Sequence, residues 1–333
     1  MRRRSSLALI AALALVIVPA IAAPAGAAGG GHAERDRILA FWTKERLHSA
    51  IPRDFVRSDR GFAPLARPAK PPRPPGGGGT GSVTGASWTK AGAILQRSGK
   101  VYFVMGSSAY VCSGSVATDH RTGKSLVLTA GHCAYDEANH RFATNWLFIP
   151  EYDTNPTLGN CGTTTYGCWT AEALVVHSGF ASAGGFNQQA TVHDFAFAVV
   201  GQGGKSGTAQ LDSTVGSFGI VTSGISSGQK LYAFGYPAAG KYHGNDLTYC
   251  AGNIFNDNLN ANLTWGMACD MTGGSSGGPW LSSFDEATGS GTLSSLNSYG
   301  YSGLTNMYGP KFNAKTQAVY NAADAATVNT IVN

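Results

Sequence analysis

The chain carries the stretch Thr129-Ala130-Gly131-His132-Cys133 directly after an apolar run that ends at Leu128, and farther on it carries Gly273-Gly274-Ser275-Ser276-Gly277-Gly278-Pro279. A histidine fixed at the end of a strand can accept a proton. A serine flanked by glycines leaves space for a substrate carbonyl group. A base and an exposed hydroxyl are the requirements of nucleophilic acyl transfer. The two stretches therefore predict a hydrolase in which Ser276 attacks and His132 takes its proton.

A carboxylate is needed to fix the imidazole tautomer. Asp194 is the preferred candidate, because it heads an alternating apolar strand and a buried carboxylate requires a partner. Asp136 and Asp153 are the alternatives, and both lie in polar stretches. The backbone amides of Gly274 and Ser276 are predicted to form the oxyanion hole, which would hold the negative charge that develops on the carbonyl oxygen.

The order of these residues excludes a competing fold. The pattern Gly274-x-Ser276-x-Gly278 also fits the nucleophile elbow of α/β-hydrolases, in which the histidine follows the serine. The last histidine of this chain is His243, so none follows Ser276.

The amino-terminal region differs in composition from the rest of the 333 residues. Residues 1–27 combine three arginines with an apolar run too short to span a bilayer, which predicts a signal peptide, secretion to the extracellular space and no membrane attachment after cleavage. Residues 28–81 contain a mildly amphipathic stretch, expected to be helical over about 33–50, and a linker rich in proline and glycine. We interpret residues 28–81 as a pro-segment, and a disordered tail is the alternative.

The remainder of the chain is typical of an all-β protein. Charged residues make up 13% of the sequence and glycine contributes 45 residues, which suits short strands and tight turns. About a dozen short apolar runs predict two antiparallel six-stranded β-barrels, over residues 82–204 and 205–333. A helix is expected at the end, around 315–331.

Charge and cysteine content exclude several classes of partner. The net charge of +5 arises in the first 81 residues, and the rest of the chain is slightly acidic, so no nucleic-acid partner is expected. An even number of cysteines in an exported chain predicts disulfides, and pairing between nearest neighbours is the simplest of the arrangements. The cysteines are Cys112, Cys133, Cys161, Cys168, Cys250 and Cys269. Their spacing does not fit a zinc site, and neither a metal nor another cofactor is expected.

Five motifs in the right order resemble those of the trypsin- and chymotrypsin-like serine peptidases, over about residues 85–333. They are Thr129–Cys133, Cys112–Ser115, His193–Ala196, Gly274–Pro279 and Ser298–Gly300. The resemblance implies a double β-barrel, a Cys112–Cys133 disulfide, and a secreted endopeptidase that acts on proteins or peptides, expected to be monomeric. It also implies that Ser298, Tyr299 and Gly300 bind the substrate backbone.

Several residues depart from the family pattern. Ser275 stands where the chymotrypsin branch has an aspartate that pairs with the new amino terminus, so this mode of zymogen activation is not expected. The nucleophile region is closer to the bacterial glutamyl-endopeptidase (V8-like) branch, but Asn297 replaces that branch's histidine. Asp270, six residues before Ser276, matches the position that selects arginine or lysine, with Gly300 and Gly309 expected to leave the pocket open.

Two other functions remain open from the sequence. One is a catalytically inactive relative that acts as a secreted binding protein, and the other is a secreted esterase on the same barrels.

Overall fold

The computed structural model describes residues 28–64, 81–152 and 161–333. The predicted signal peptide, the proline- and glycine-rich linker and Asp153 lie outside these ranges. Within them, no helix has the length and apolar character needed to cross a membrane.

The described part of the amino-terminal region, residues 28–64, packs against the rest of the molecule. Its elements are α1 (Ala28–Phe41), α2 (Lys44–Ser49), β1 (Ile51–Pro52), β2 (Phe55–Ser58) and β3 (Gly61–Pro64). The helix expected over 33–50 is divided in two at Thr43, whose hydroxyl accepts a hydrogen bond from the Arg46 amide and so begins α2. The buried Trp42 donates from its indole Nε1 to the Asn145 carbonyl at 2.6 Å.

The first half of the body contains a closed barrel. The elements in this half are β4 (Val83–Ser87), α3 (Ala93–Arg97), β5 (Ser98–Met105), β6 (Ser108–Ala117), β7 (Ser125–Thr129), β8 (Tyr135–Asp136), β9 (Arg141–Phe142), β10 (Thr144–Pro150), β11 (Trp169–His177), α4 (Ser178–Ala181), α5 (Gln188–Val192) and β12 (Ala196–Val200). Six antiparallel strands follow the order β6-β5-β10-β11-β12-β7, and β7 pairs back to β6. The apolar runs that predicted β7 and β12 are fully buried, as strands in a small barrel must be.

The second half is built from two facing sheets. Its elements are α6 (Leu211–Val215), β13 (Lys230–Gly235), β14 (Thr248–Asn253), β15 (Phe255–Asn256), β16 (Thr264–Ala268), β17 (Pro279–Asp285), β18 (Ser290–Leu296), β19 (Tyr299–Tyr301), β20 (Asn306–Pro310), α7 (Ala314–Ala325) and β21 (Thr330–Val332). One sheet has the order β18-β17-β13-β14-β4, and the other contains β15-β16-β20-β19. Leu231, Met267 and Trp280 lie in the core between them. The all-β architecture and the six-stranded antiparallel barrel expected in the first half are confirmed.

Two boundaries differ from those expected. Strand β4 pairs with β14, so residues 83–87 complete the second half although they precede the first barrel in the chain. Helix α7 ends at Ala325, and β21 then pairs in parallel with β11. The β-branched residues Thr327 and Val328 follow the helix, and Asn329 accepts a hydrogen bond from the Leu174 amide through Oδ1. This contact holds the end of the chain as an added strand.

The six cysteines form the nearest-neighbour disulfides Cys112–Cys133, Cys161–Cys168 and Cys250–Cys269. The first joins β6 to the turn that carries His132. These two sulfurs and His132 are the only grouping of metal-ligand atoms within the described ranges, and sulfurs bonded to each other are not thiolate ligands.

Candidate active site

His132 lies in a single 3-10 turn, Gly131–Cys133, at the end of β7, and it is fully buried. Asp194 lies just before β12 and holds His132 through two hydrogen bonds. Its Oδ1 accepts a hydrogen bond from the His132 backbone N–H at 2.8 Å, and its Oδ2 lies 2.8 Å from His132 Nδ1. A carboxylate can only accept here, so Nδ1 carries the proton and Nε2 is left as a proton acceptor.

The second half of the molecule also holds Asp194. The Ser298 hydroxyl donates a short hydrogen bond to Asp194 Oδ2. Asp194 is completely buried, and these three donors stabilise its charge. The alternative Asp136 instead accepts from the Asn139 side chain and lies against Arg141.

Ser276 lies on the glycine-rich turn before β17. Gly274 and Gly277 have φ angles of +97° and +81°, which favour glycine. A Cβ on Gly277 would also lie 2.3 Å from Thr129 Oγ1. Neither the Gly274 nor the Ser276 amide donates a hydrogen bond to another described residue. Within the described residues both amides therefore remain without an acceptor, which the oxyanion-hole role predicted for them requires.

Two further residues hold this turn in place through hydrogen bonds, and the sequence did not predict that either belongs to the site. Asn297 donates from Nδ2 to the carbonyls of Phe234 and Ser275, at 2.8 and 3.0 Å. Ser113 on β6 donates to the Gly274 carbonyl at 2.8 Å and accepts from the Tyr236 amide. Ser113 belongs to the motif Cys112–Ser115, which indicated only the fold. Nothing in that motif predicted that the Ser113 hydroxyl would support the turn of Ser276.

A cavity of about 360 Å³ opens beside Ser276. The four residues predicted to bind substrate, Asp270, Ser298, Tyr299 and Gly300, all line it. Its other walls are largely apolar and include Met271, Tyr301, Leu304 and Met307. Gly300 leaves its part of the wall open, since the nearest atom to an added Cβ would be 3.7 Å away.

Gly309 does not have the expected part in opening this cavity. A Cβ there would lie 2.0 Å from the Leu296 carbonyl oxygen, so this glycine permits close packing of β20 on β18.

The Asp270 carboxylate is already paired. Oδ2 accepts from Lys241 Nζ at 2.8 Å, and Oδ1 accepts from the Tyr242 hydroxyl at 2.5 Å. Burial, followed by the proximity of Asp270, raises the pKa of Tyr242, so this hydroxyl remains a donor. A second cation at Asp270 would have to displace or tolerate Lys241.

The amino-terminal region contributes a side chain that sequence reasoning missed. Ser276 Oγ donates to Asp54 Oδ1 at 2.9 Å, while the buried His132 Nε2 has no hydrogen-bond partner in the part of the chain that the structure describes. Asp54 belongs to no motif, and 222 positions separate it from Ser276. Local sequence patterns carry no information about such a contact.

Comparison with solved structures identifies relatives of this architecture. The protease Anisep from Arthrobacter nicotinovorans is 37% identical, with a TM-score of 0.61, over 73% of this chain and 100% of that protein. The thermostable serine protease AL20 from an extremophilic microorganism is 36% identical, with a TM-score of 0.60, over 70% of this chain and 99% of that protein. A Glu endopeptidase at 20% identity and a TM-score of 0.53 shares the fold, over 74% of this chain and 99% of its own. No protein-family model matches the sequence, and no curated protein does.

Proposed function

Because the chain belongs to the serine peptidases of the chymotrypsin-like fold and hydrolyses peptide bonds, we propose that Ser276, His132 and Asp194 are its catalytic triad. The observation that carries this proposal is the pair of hydrogen bonds between Asp194 and His132. These bonds orient the imidazole so that Nε2 is the free proton acceptor. The substrates are proteins or peptides.

In the proposed reaction, Ser276 Oγ attacks the scissile carbonyl carbon and gives its proton to His132 Nε2. Asp194 stabilises the imidazolium that results. The amides of Gly274 and Ser276 donate to the oxyanion, and removal of one such donor typically costs about 10²–10³-fold in turnover. His132 then protonates the departing amine. A water molecule, deprotonated by the same histidine, hydrolyses the acyl-enzyme.

We expect Ser276→Ala to lower the turnover of a peptide amide by about 10⁴-fold or more, because the nucleophile is lost. His132→Ala and Asp194→Asn should also lower it strongly. The neighbouring Ser275→Ala is the matched control, because its hydroxyl donates to the Thr272 carbonyl instead of facing the substrate. Labelling by a serine-reactive phosphonate, followed by peptide mapping, identifies the modified residue.

Retention of phosphonate labelling in Ser276→Ala would contradict the triad. Equal loss in Ser275→Ala would mean that the turn, and not the hydroxyl, was responsible. Hydrolysis of ester substrates with no hydrolysis of amides would favour the esterase.

The specificity pocket is proposed to take an uncharged apolar side chain. Support comes from the methionine and leucine walls and from Lys241 on the Asp270 carboxylate. The preference for arginine or lysine expected from Asp270 stays a prediction. An apolar pocket and a basic-selective pocket predict opposite orders of kcat/KM for leucine and arginine substrates.

We expect kcat/KM for leucine or phenylalanine before the scissile bond to exceed that for arginine by about tenfold or more, since burying an unpaired charge is costly. Lys241→Met should then raise the relative rate on arginine substrates, because it frees the Asp270 carboxylate. Lys230→Met is the control, because this lysine lies over the Tyr232 ring, whereas Lys241 pairs with Asp270. Arginine as the preferred residue in the unmodified enzyme, lost in Asp270→Asn, would overturn the apolar assignment.

Secretion and synthesis as a zymogen are further parts of the proposal. The charged, apolar and small-residue pattern of residues 1–27 supports export, and three disulfides suit an oxidising compartment.

A further inference from the structure

Residues 51–58 cross the candidate active site from one half of the molecule to the other. Strand β1 pairs in parallel with β6 of the first barrel, at Tyr110 and Val111. Strand β2 pairs in parallel with β19, matching Phe55 to Tyr299 and Val56 to Gly300. The edge strand expected to bind substrate is therefore occupied by the chain's own residues, in the manner of a peptide that adds a strand to a sheet.

Three consecutive side chains of this segment contact the catalytic machinery. Arg53 donates to the His132 carbonyl at 2.5 Å and to Glu137 at 2.9 Å. Phe55 is buried, stacks on Phe186 with ring centroids 4.0 Å apart, and meets the His132 ring edge-on at 5.4 Å.

Asp54, between them, contacts the nucleophile directly. Its Oδ1 accepts the Ser276 hydroxyl, and its Oδ2 lies 2.3 Å from where a Cβ on Gly273 would be. The Ser276 hydrogen thus points to Asp54 instead of to His132 Nε2. The group at the nucleophile is a side-chain carboxylate, which is a poor acyl electrophile and has no amine to release. Attack at this contact would not cut the chain.

We propose that residues 51–58 are an intramolecular inhibitor of the peptidase, with Arg53-Asp54-Phe55 as its recognition triplet and Asp54 as the blocking group on Ser276. The proposal rests on the triad proposed above and adds the chemistry that keeps the triad inactive. Burial raises the pKa of Asp54, and the Ser276 hydrogen bond and the nearby His132 only partly oppose this shift.

The test measures the rate at which a fluorescent phosphonate labels the full-length chain, with electrophoresis used to count only the uncut band. We expect Asp54→Ala and Asp54→Asn to label at least about tenfold faster than the unmodified chain, because Ser276 is released to His132. Asp59→Asn, an exposed aspartate five positions on, is the matched control and should label at the unmodified rate. Phe55→Ala should also accelerate labelling, because it removes the packing of this segment against Phe186 and the His132 ring.

The outcomes separate this proposal from the triad. Equal labelling of the unmodified chain and of all Asp54 and Phe55 variants would overturn the inhibitor and leave the triad standing. Absence of labelling in every chain, when each unfolds cooperatively and has three disulfides by mass, would overturn both. Labelling that is fast in the variants and abolished by adding Ser276→Ala supports both.

Discussion

At the scale of single residues, the site depends on side chains that never touch a substrate. Asn297 connects β13, β17 and the turn that carries Ser276, since its Nδ2 donates to the Phe234 and Ser275 carbonyls and its Oδ1 accepts from Trp280 Nε1. By the resemblance seen in the sequence, it is expected at the position of the histidine of the glutamyl-endopeptidase branch. Its bonds are internal to the protein, so this position supports the nucleophile turn instead of selecting a substrate.

We expect Asn297→Ala to lower the free energy of unfolding by about 3 kcal/mol, because it leaves buried donors and acceptors unpaired. Turnover should also fall, since the carbonyl next to Ser276 loses its anchor. Denaturant unfolding and steady-state kinetics measure the two effects. Asn321→Ala, at an exposed position on α7, should change stability by less than about 0.5 kcal/mol. Similar effects from both substitutions would contradict the anchoring role.

At the scale of elements, the sequence predicted the strands that bury their own residues. The runs that became β7 and β12 are apolar throughout, and each is followed or preceded by a triad candidate. Asn297 and Ser298 separate β18 from β19. Their side chains form hydrogen bonds to the Ser275 carbonyl and to Asp194, respectively. Motif order and strand period together were sufficient to predict the fold and to select the three residues that we propose as the triad.

The strands that the sequence did not predict form only by pairing with strands that are distant in the chain. Strand β2 has the short sequence Phe55-Val56-Arg57-Ser58 and pairs with β19, while β4 pairs with β14. Neither has a period or an apolar run of its own that specifies a face. The blocking contact of Asp54 depends on this pairing, so it could not be read from the chain before the two halves were placed together.

At the scale of the whole molecule, the site assembles only when both halves are folded. His132 and Asp194 come from the first barrel, whereas Ser276 and Ser298 come from the second half. The last residues of the chain return to the first barrel through β21, and α7 packs on β11 and β12 beside it. The geometry of the proposed triad therefore depends on the stability of this junction.

Two buried histidines lie at this junction. His177 and His193 stack with centroids 4.6 Å apart, and His193 Nε2 lies 2.9 Å from Lys315 Nζ on α7. His177 Nδ1 accepts from the Gly179 amide, which requires an unprotonated nitrogen. Burial, with repulsion from His193 and Lys315, lowers the pKa of His177 to about 4, and burial also lowers that of His193.

We expect the free energy of unfolding to fall as the pH drops from about 6.5 to about 4, because in this window the unfolded chain binds protons that the folded chain excludes. His177→Asn keeps an acceptor for the Gly179 amide and removes the titrating group, so it should flatten this part of the curve. His243→Asn, at an exposed loop histidine, should leave the slope unchanged. Denaturant unfolding at half-unit pH steps measures the three curves. Parallel curves for all three chains would mean that the pH dependence arises from groups other than His177. A flattened His177→Asn curve would place the loss of stability at the junction between α7 and the first barrel, close to His132 and Asp194.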